Sequence, residues 1–166
     1  DGVARFAGAT VLDGATVITT TGTGAITFTS TLGSAASEDN TLTLTGDTGS
    51  ISFDLVGAGA NLELGAVSIV SAVDVTASST IEAASLVQAA GSGTTTLRDN
   101  VTTTAAAGVN ITATNINLDG LTIAASGDGV ARFAGATVLD GATVITTTGT
   151  GAITFTSTLG SAASED

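Results

Sequence analysis

The sequence predicts an all-β fold, a right-handed parallel β-solenoid with about six coils of roughly 21 residues in each repeat unit of 127 residues. Three observations lead to this prediction. They are a long internal repeat, short runs in which apolar and polar residues alternate, and a composition with no proline and five aromatic residues, all phenylalanine.

The two ends of the chain repeat each other. Residues 1–39 recur letter for letter as residues 128–166, at an offset of 127. Identity over 39 consecutive positions does not arise by chance, and a long internal period is the signature of a repeat architecture. We therefore divide the chain into one full tandem-repeat unit, residues 1–127, and the first part of the next identical unit, residues 128–166. The chain is expected to be a segment of a longer tandem array.

Within the unit, short runs alternate apolar and polar residues, the pattern of a strand with one buried face. Threonine, valine and isoleucine dominate these runs and favour strands. The runs lie at 25–29, 41–45, 50–54, 61–64, 67–69, 73–75, 109–112 and 115–119. Glycine-containing turns separate them, for example at 22–24, 46–49, 57–59 and 91–93.

One segment, residues 79–90, admits two interpretations. Ile81, Ala84 and Leu86 are spaced so that a short amphipathic helix of one or two turns accommodates them. The same segment also reads as two short strands, at 80–83 and 85–88. The sequence leaves both open.

Similar strands recur about every 21 residues, which predicts successive coils. At a spacing of 20, Leu42 and Leu44 are matched with Leu62 and Leu64. At a spacing of 22, three further matches are proposed: Ile51 and Phe53 with Val73 and Val75, Val101 with Ile123, and Phe6 with Phe28. A coil of this length holds three short strands and three turns, so the predicted cross-section is triangular. The right-handed sense follows from the general preference of parallel crossover connections.

The composition fits a thin tube of stacked strands. Proline would remove a ladder hydrogen bond from a central strand, and none is present. The alternative architecture is a series of tandem β-sandwich repeats. We disfavour it because sandwich domains usually carry a core tryptophan or tyrosine, and because spacings of 20 to 22 residues have no place in them.

Two phrases of the sequence resemble a known group of proteins. Residues 21–28 read TGTGAITF and residues 40–46 read NTLTLTG. They resemble giant bacterial tandem-repeat surface proteins, namely the β-strand-repeat, filamentous-haemagglutinin-like and autotransporter-passenger adhesins. The resemblance implies an extracellular or cell-surface fibrous protein with a β-helical fold. It transfers no functional residue, because these families share no site motif.

The composition argues against an enzyme, so no catalytic and no cofactor-binding residue is predicted. Histidine, cysteine, lysine and tyrosine are absent, which removes most general bases and nucleophiles. The acids Asp54, Glu63, Asp74 and Glu82 are expected on the outward face of strands, where their charge keeps the protein soluble, rather than in a catalytic pair.

The predicted partners follow from charge and hydropathy. Three arginines, no lysine and a net charge of −12 argue against nucleic acid. No apolar run reaches the length of a membrane-spanning helix. The expected partners are neighbouring repeat units of the same chain or further copies of it, stacked end to end.

The sequence contains no recognised metal-binding motif, and no metal site is predicted. Glu38, Asp39 and Asn40 are the candidates for calcium, because they cluster the hard oxygen ligands that Ca²⁺ prefers. Glu165 and Asp166 repeat the acidic pair. The alternative is a solvated loop between strands.

Together these observations predict a structural protein, the shaft of a secreted or cell-surface bacterial filament, sheath or fibrous adhesin. The alternative function is a binding module for a glycan, a surface or ice. Three threonine runs, at 19–21, 94–96 and 102–104, carry the ice-binding alternative, since they present hydroxyl and methyl groups together.

Overall fold

The computed structural model of the protein describes residues 1–59 and 61–162. Every regular element in these ranges is a β-strand, and so they contain no helix that could cross a lipid bilayer. The strands are β1 (Ala4–Phe6), β2 (Thr10–Leu12), β3 (Thr16–Thr19), β4 (Ile26–Phe28), β5 (Leu32–Ser34), β6 (Leu42–Thr45), β7 (Ile51–Phe53), β8 (Leu64–Ser71), β9 (Val75–Ala77), β10 (Ile81–Gln88), β11 (Thr94–Leu97), β12 (Val101–Thr103), β13 (Val109–Leu118), β14 (Thr122–Ala125), β15 (Ala131–Leu139), β16 (Val144–Thr147), β17 (Ile153–Phe155) and β18 (Leu159–Ser161).

Strands of successive coils pair in parallel and build three faces. Face 1 consists of β1, β4, β7, β9, β11, the second halves of β13 and β15, and β18. Face 2 consists of β2, β5, a bridge at Val56, the first half of β10, β12, β14 and β16. Face 3 consists of β3, β6, β8, the second half of β10, the first halves of β13 and β15, and β17. This confirms the parallel β-solenoid, with about seven turns, and excludes an antiparallel sandwich for the described residues.

The number of turns in one repeat unit can be counted from these faces. Residues 1–127 contribute 17 strand positions, counting the bridge at Val56 once and β10 and β13 twice. Three positions complete a turn, so the unit makes 17/3, or 5⅔, turns. Stacked partners are about 22 residues apart, close to the predicted coil of roughly 21 residues.

Two of the predicted strand matches are right and two are wrong. Phe6 pairs with Phe28 and Val101 with Ile123, both at a spacing of 22. The pairs built on Leu42 and Ile51 differ from the prediction. Leu42 and Leu44 pair with Val67 and Ile69, and Ile51 and Phe53 pair with Val75 and Ala77, so the spacings are 25 and 24 rather than 20 and 22.

A loop explains the longer spacing at this point. Residues 57–59 and 61–63 lie outside the sheet, and Gly57 and Asn61 in this loop have φ values of 72° and 61°. Leu62 folds back over Gly33 on the outside of face 2, where its carbonyl oxygen accepts a hydrogen bond from the Ser34 amide at 3.0 Å. The predicted strand at 61–64 is therefore a loop up to Glu63, and the apolar Leu62 covers the outside of face 2.

The segment 79–90 is a strand, so the helical interpretation is wrong. β10 runs through it without a break and bends from face 2 to face 3. Ser85 and Leu86 are both buried, which interrupts the alternation and marks the corner. Because the chain turns here without glycine, the sequence carries no turn signal.

The core is a narrow column of inward-pointing side chains. On face 1, the rings of Phe6, Phe28 and Phe53 stack with centroids 4.7 and 5.9 Å apart. Face 1 continues through the buried Ala77 and Leu97. Burial of these inward apolar ladders supplies the main favourable free energy, and each coil contacts only its neighbours.

Glycines stack at one corner of the solenoid, where successive coils approach closely. A Cβ atom at Gly49 would overlap the carbonyl oxygen of Gly24, and one at Gly24 would overlap the carbonyl oxygen of Gly2. The backbones of three successive coils therefore approach each other too closely here for any side chain.

Candidate functional site

The corner between faces 2 and 3 carries an acidic groove of about 300 Å³, lined by the acidic residues Asp39, Glu63 and Glu82 and by Thr102 and Thr104. Leu64, Ala83 and Ala84 complete the lining. Its polar side chains combine negative charge with hydroxyl groups, and its floor is apolar.

Differences between successive coils at one corner create this groove. The chain passes from face 2 to face 3 through the loop at 35–41 in one coil and through the loop at 57–63 in the next. β10 passes the same corner as a continuous strand, and residues of both loops, of β10 and of 102–104 line the groove. Glu82 points outward from β10 and stands in register with Thr102. The groove is thus a consequence of loop length.

The calcium candidates Glu38, Asp39 and Asn40 lie in the loop at 35–41, between β5 and β6. The Asn40 amide nitrogen Nδ2 donates hydrogen bonds to the Leu12 carbonyl at 3.0 Å and to Glu38 Oε2 at 2.9 Å. Asn40 thus presents a donor to Glu38, while Asp39 lines the acidic groove. In residues 1–59 and 61–162, no three acidic side chains are placed to hold a metal ion together. Glu165 and Asp166 lie outside the described residues.

Several acids instead bind the backbone of an adjacent coil. Asp74 Oδ1 accepts a hydrogen bond from the Thr94 amide at 2.8 Å. Asp47 Oδ2 accepts one from the Gly22 amide at 2.9 Å. Asp128 Oδ1 accepts one from the amide of a residue 22 positions later at 2.7 Å. These contacts fasten one coil to the next at the corners, where ladder hydrogen bonds are interrupted.

The prediction that four acids lie on outward strand faces is correct for Glu82. Asp54 directly follows β7, and Glu63 lies in the loop at 57–63. Asp74 precedes β9 and is half-buried by its bond to the next coil. Sequence reasoning missed this last role because the partner amide is 20 residues away.

Face 1 presents a column of hydroxyl groups on its outer surface. Thr27, Ser52, Thr76 and Thr96 occupy outward positions and follow each other in register through four coils. Arg5 precedes this column and Asn117 follows it. Of the threonine runs at 19–21, 94–96 and 102–104, the run at 94–96 contributes to this column, because membership of the column depends on strand register.

The junction between the repeat units is a continuous part of the solenoid. β15 belongs to the second unit, and it pairs with β13 of the first through eight residue pairs on two faces. The ring of Phe133 at this junction is fully buried. Backbone pairing and the core therefore pass from one unit to the next without a gap.

Comparison of the chain with protein-family models, with curated proteins and with solved structures gives no match. The fold and the surfaces described above are therefore the basis for assigning a function.

Proposed function

We propose that this chain is the structural shaft of a secreted or cell-surface bacterial filament, sheath or fibrous adhesin, built from identical tandem repeats. The observation that carries the proposal is the junction, where β15 of the second unit pairs with β13 of the first. A repeat added in this way lengthens the rod without a linker. Such a protein spans distance and bears load by stacking coils, and the proposal assigns it no catalysis.

Equivalent residues of the two units support this function, because they show how much apolar surface one coil buries on its neighbour. Ile26 is 0% exposed, whereas Ile153, the same residue of the next unit, is 46% exposed. Leu32 and Leu159 show the same contrast, at 1% and 50%. In the first unit, β7 and Val56 cover these positions. The same strands of a continued second unit would cover Ile153 and Leu159.

The charge distribution supports a shaft that stays separate from its neighbours. The chain carries a net charge of −12, and three of its acidic residues line the acidic groove. Like charge along the sides of a rod opposes lateral association, while strand pairing at the ends remains available. Assembly is thus directed along the axis.

Proteins that contain one, two and four complete repeats test the shaft. Their length in electron micrographs should rise by about 27 Å per repeat, the rise of 5⅔ coils stacked at about 4.8 Å. Their unfolding midpoint should rise with repeat number, because each interior repeat gains a neighbour on both sides. A length that does not grow linearly would contradict the proposal.

Antibodies to the repeat should label intact source cells if the shaft is exposed, and only lysed cells if it is not.

The hydroxyl column on face 1 favours a second function, a binding module for a glycan or for ice. Replacing Thr76 and Thr96 by valine removes two adjacent hydroxyls but keeps the shape and the β propensity. The variant should lose binding on a glycan array or lose inhibition of ice recrystallisation. The control is valine at Thr102, an outward position on face 2. Absence of both activities from the unmodified protein would eliminate this function.

A further inference from the structure

We infer that each repeat of the array is rotated by one face of the solenoid, a third of a turn, relative to the repeat before it. The inference concerns the arrangement of repeats in the shaft and, for the whole array, rests on the proposed function. Within the chain it rests on strand register alone. β1 lies on face 1, where it pairs with β4. Its identical copy, residues 131–133, lies on face 3, where it pairs with residues 109–111.

The other duplicated strands move in the same sense. β2 lies on face 2, and its copy at 137–139 lies on face 1. β3 lies on face 3, and its copy overlaps β16 on face 2. β4 on face 1 becomes β17 on face 3, and β5 on face 2 becomes β18 on face 1. All five strands are displaced by one face, so the change is a rotation of the whole unit.

The same stacked pair of phenylalanines is found in both copies, but it lies on a different face in each. Phe6 stacks on Phe28 on face 1. Phe133 stacks on Phe155, with centroids 5.1 Å apart, on face 3, where its register partner in the preceding coil is Ile111. Identical side chains thus pack in the core from two different sides of the tube. The tube accepts this because its three inner faces are lined by similar aliphatic residues.

Outside the core, Arg132 Nη1 donates a hydrogen bond to Asn110 Oδ1 at 3.1 Å on face 3. Its copy Arg5 stands in register with Thr27 on face 1. Arg132 keeps the equivalent threonine, Thr154, as its register neighbour in the following coil, and Asn110 is its partner in the preceding coil.

The rotation follows from the number of strand positions in one unit. A unit with 17 strand positions is one short of six whole turns of three, and so the next unit begins one face earlier. Three units, 381 residues, contain 51 positions and complete 17 turns. The array then returns to the same face after about 82 Å, taking about 4.8 Å per coil.

This rotation determines how the shaft presents its surfaces. The acidic groove and the hydroxyl column of successive repeats face three directions in turn. No side of the shaft carries either feature without interruption, which opposes flat side-by-side packing of two shafts. A partner that binds one repeat is arranged helically around the shaft, and partners on one side are three repeats apart.

Cysteine pairs test the rotation directly, because the chain has no native cysteine. Asn110→Cys with Arg132→Cys joins neighbours on face 3, so oxidation should form a disulfide. Asn117→Cys with Arg132→Cys joins residues that would be neighbours only if a repeat made six whole turns. Thr96→Cys with Asn117→Cys, a register pair within one unit, is the control.

We expect the first pair and the control to form a disulfide on oxidation. The second pair should form about ten-fold less disulfide, because cysteines with Cα atoms more than about 7 Å apart do not bridge without backbone movement. Bridging in the second pair but not in the first would overturn the rotation and leave the shaft intact. Failure of the control as well would overturn the solenoid, and the shaft proposal with it. In images of a multi-repeat shaft, the rotation predicts a helical repeat of three units.

Discussion

Ile26 and Ile153 provide a matched pair with which to measure the energy of coil stacking. They occupy the same position in identical sequence, but Ile26 is 0% exposed and Ile153 is 46% exposed. Ile26→Ala removes a fully buried side chain and leaves a cavity, which costs about 2–5 kcal/mol. Ile153→Ala loses only part of the transfer free energy and leaves no closed cavity, so its cost should stay below about 1.5 kcal/mol.

Urea unfolding followed by circular dichroism measures the difference between these variants. With a slope of about 1–3 kcal/mol per molar urea, a difference of about 2 kcal/mol separates the two midpoints by roughly 1 M. Hydrogen exchange in β4 and β17 locates the loss, since a solenoid can open one coil at a time. Equal destabilisation by the two substitutions would refute the reasoning.

Extending the chain to two complete units adds a decisive control. The strand equivalent to β7 then covers Ile153, as β7 covers Ile26. Ile153→Ala should then cost as much as Ile26→Ala. If its cost stays low in the longer protein, the next coil does not bury this residue.

Three further predictions concern the corners and the charge. Gly49→Ala should lower the free energy of unfolding, measured by thermal unfolding, by about 1–3 kcal/mol, because its Cβ atom would overlap the Gly24 carbonyl. Gly8→Ala has open space around its Cβ atom and should change this free energy by no more than about 0.5 kcal/mol. Asp74→Ala should lower the free energy of unfolding by about 1–3 kcal/mol, because the half-buried Thr94 amide loses its acceptor. Asp74→Asn keeps an acceptor and should recover most of this loss. Equal losses in both variants would exclude the hydrogen bond as the source of the stability. Light scattering should show more lateral association of multi-repeat protein as salt rises from 0.01 to 1 M, because the Debye length falls from about 30 Å to about 3 Å, and association that decreases with salt would contradict charge repulsion.

Much of the fold could be predicted from the sequence because its signals are local. Alternation defines the strands, and the matched phenylalanines Phe6 and Phe28 give the coil length where the turns are short. The pairing of Leu42 could not be found in this way, since the loop at 57–63 adds residues that only the folded structure places outside the sheet. Leu62 was misassigned because an apolar residue that covers an outer face looks the same in sequence as one in the core.

The acidic groove and the rotation of the repeats depend on register, which is not local. Asp39, Glu63 and Glu82 are 24 and 19 residues apart in sequence, and the loops at one corner bring them together. The rotation requires an exact count of strands. That count was inaccessible because β10 turns its corner at Ser85 and Leu86 without a glycine or any other turn residue.

Electron cryo-microscopy of a protein with several complete repeats tests the central claim most directly, since the claim is that coils stack continuously across each junction. We predict unbroken density with strands about 4.8 Å apart along the axis and an advance of about 27 Å per repeat. Separate beads joined by linkers, each about 36 Å across as expected for a globular domain of this length, would contradict the account.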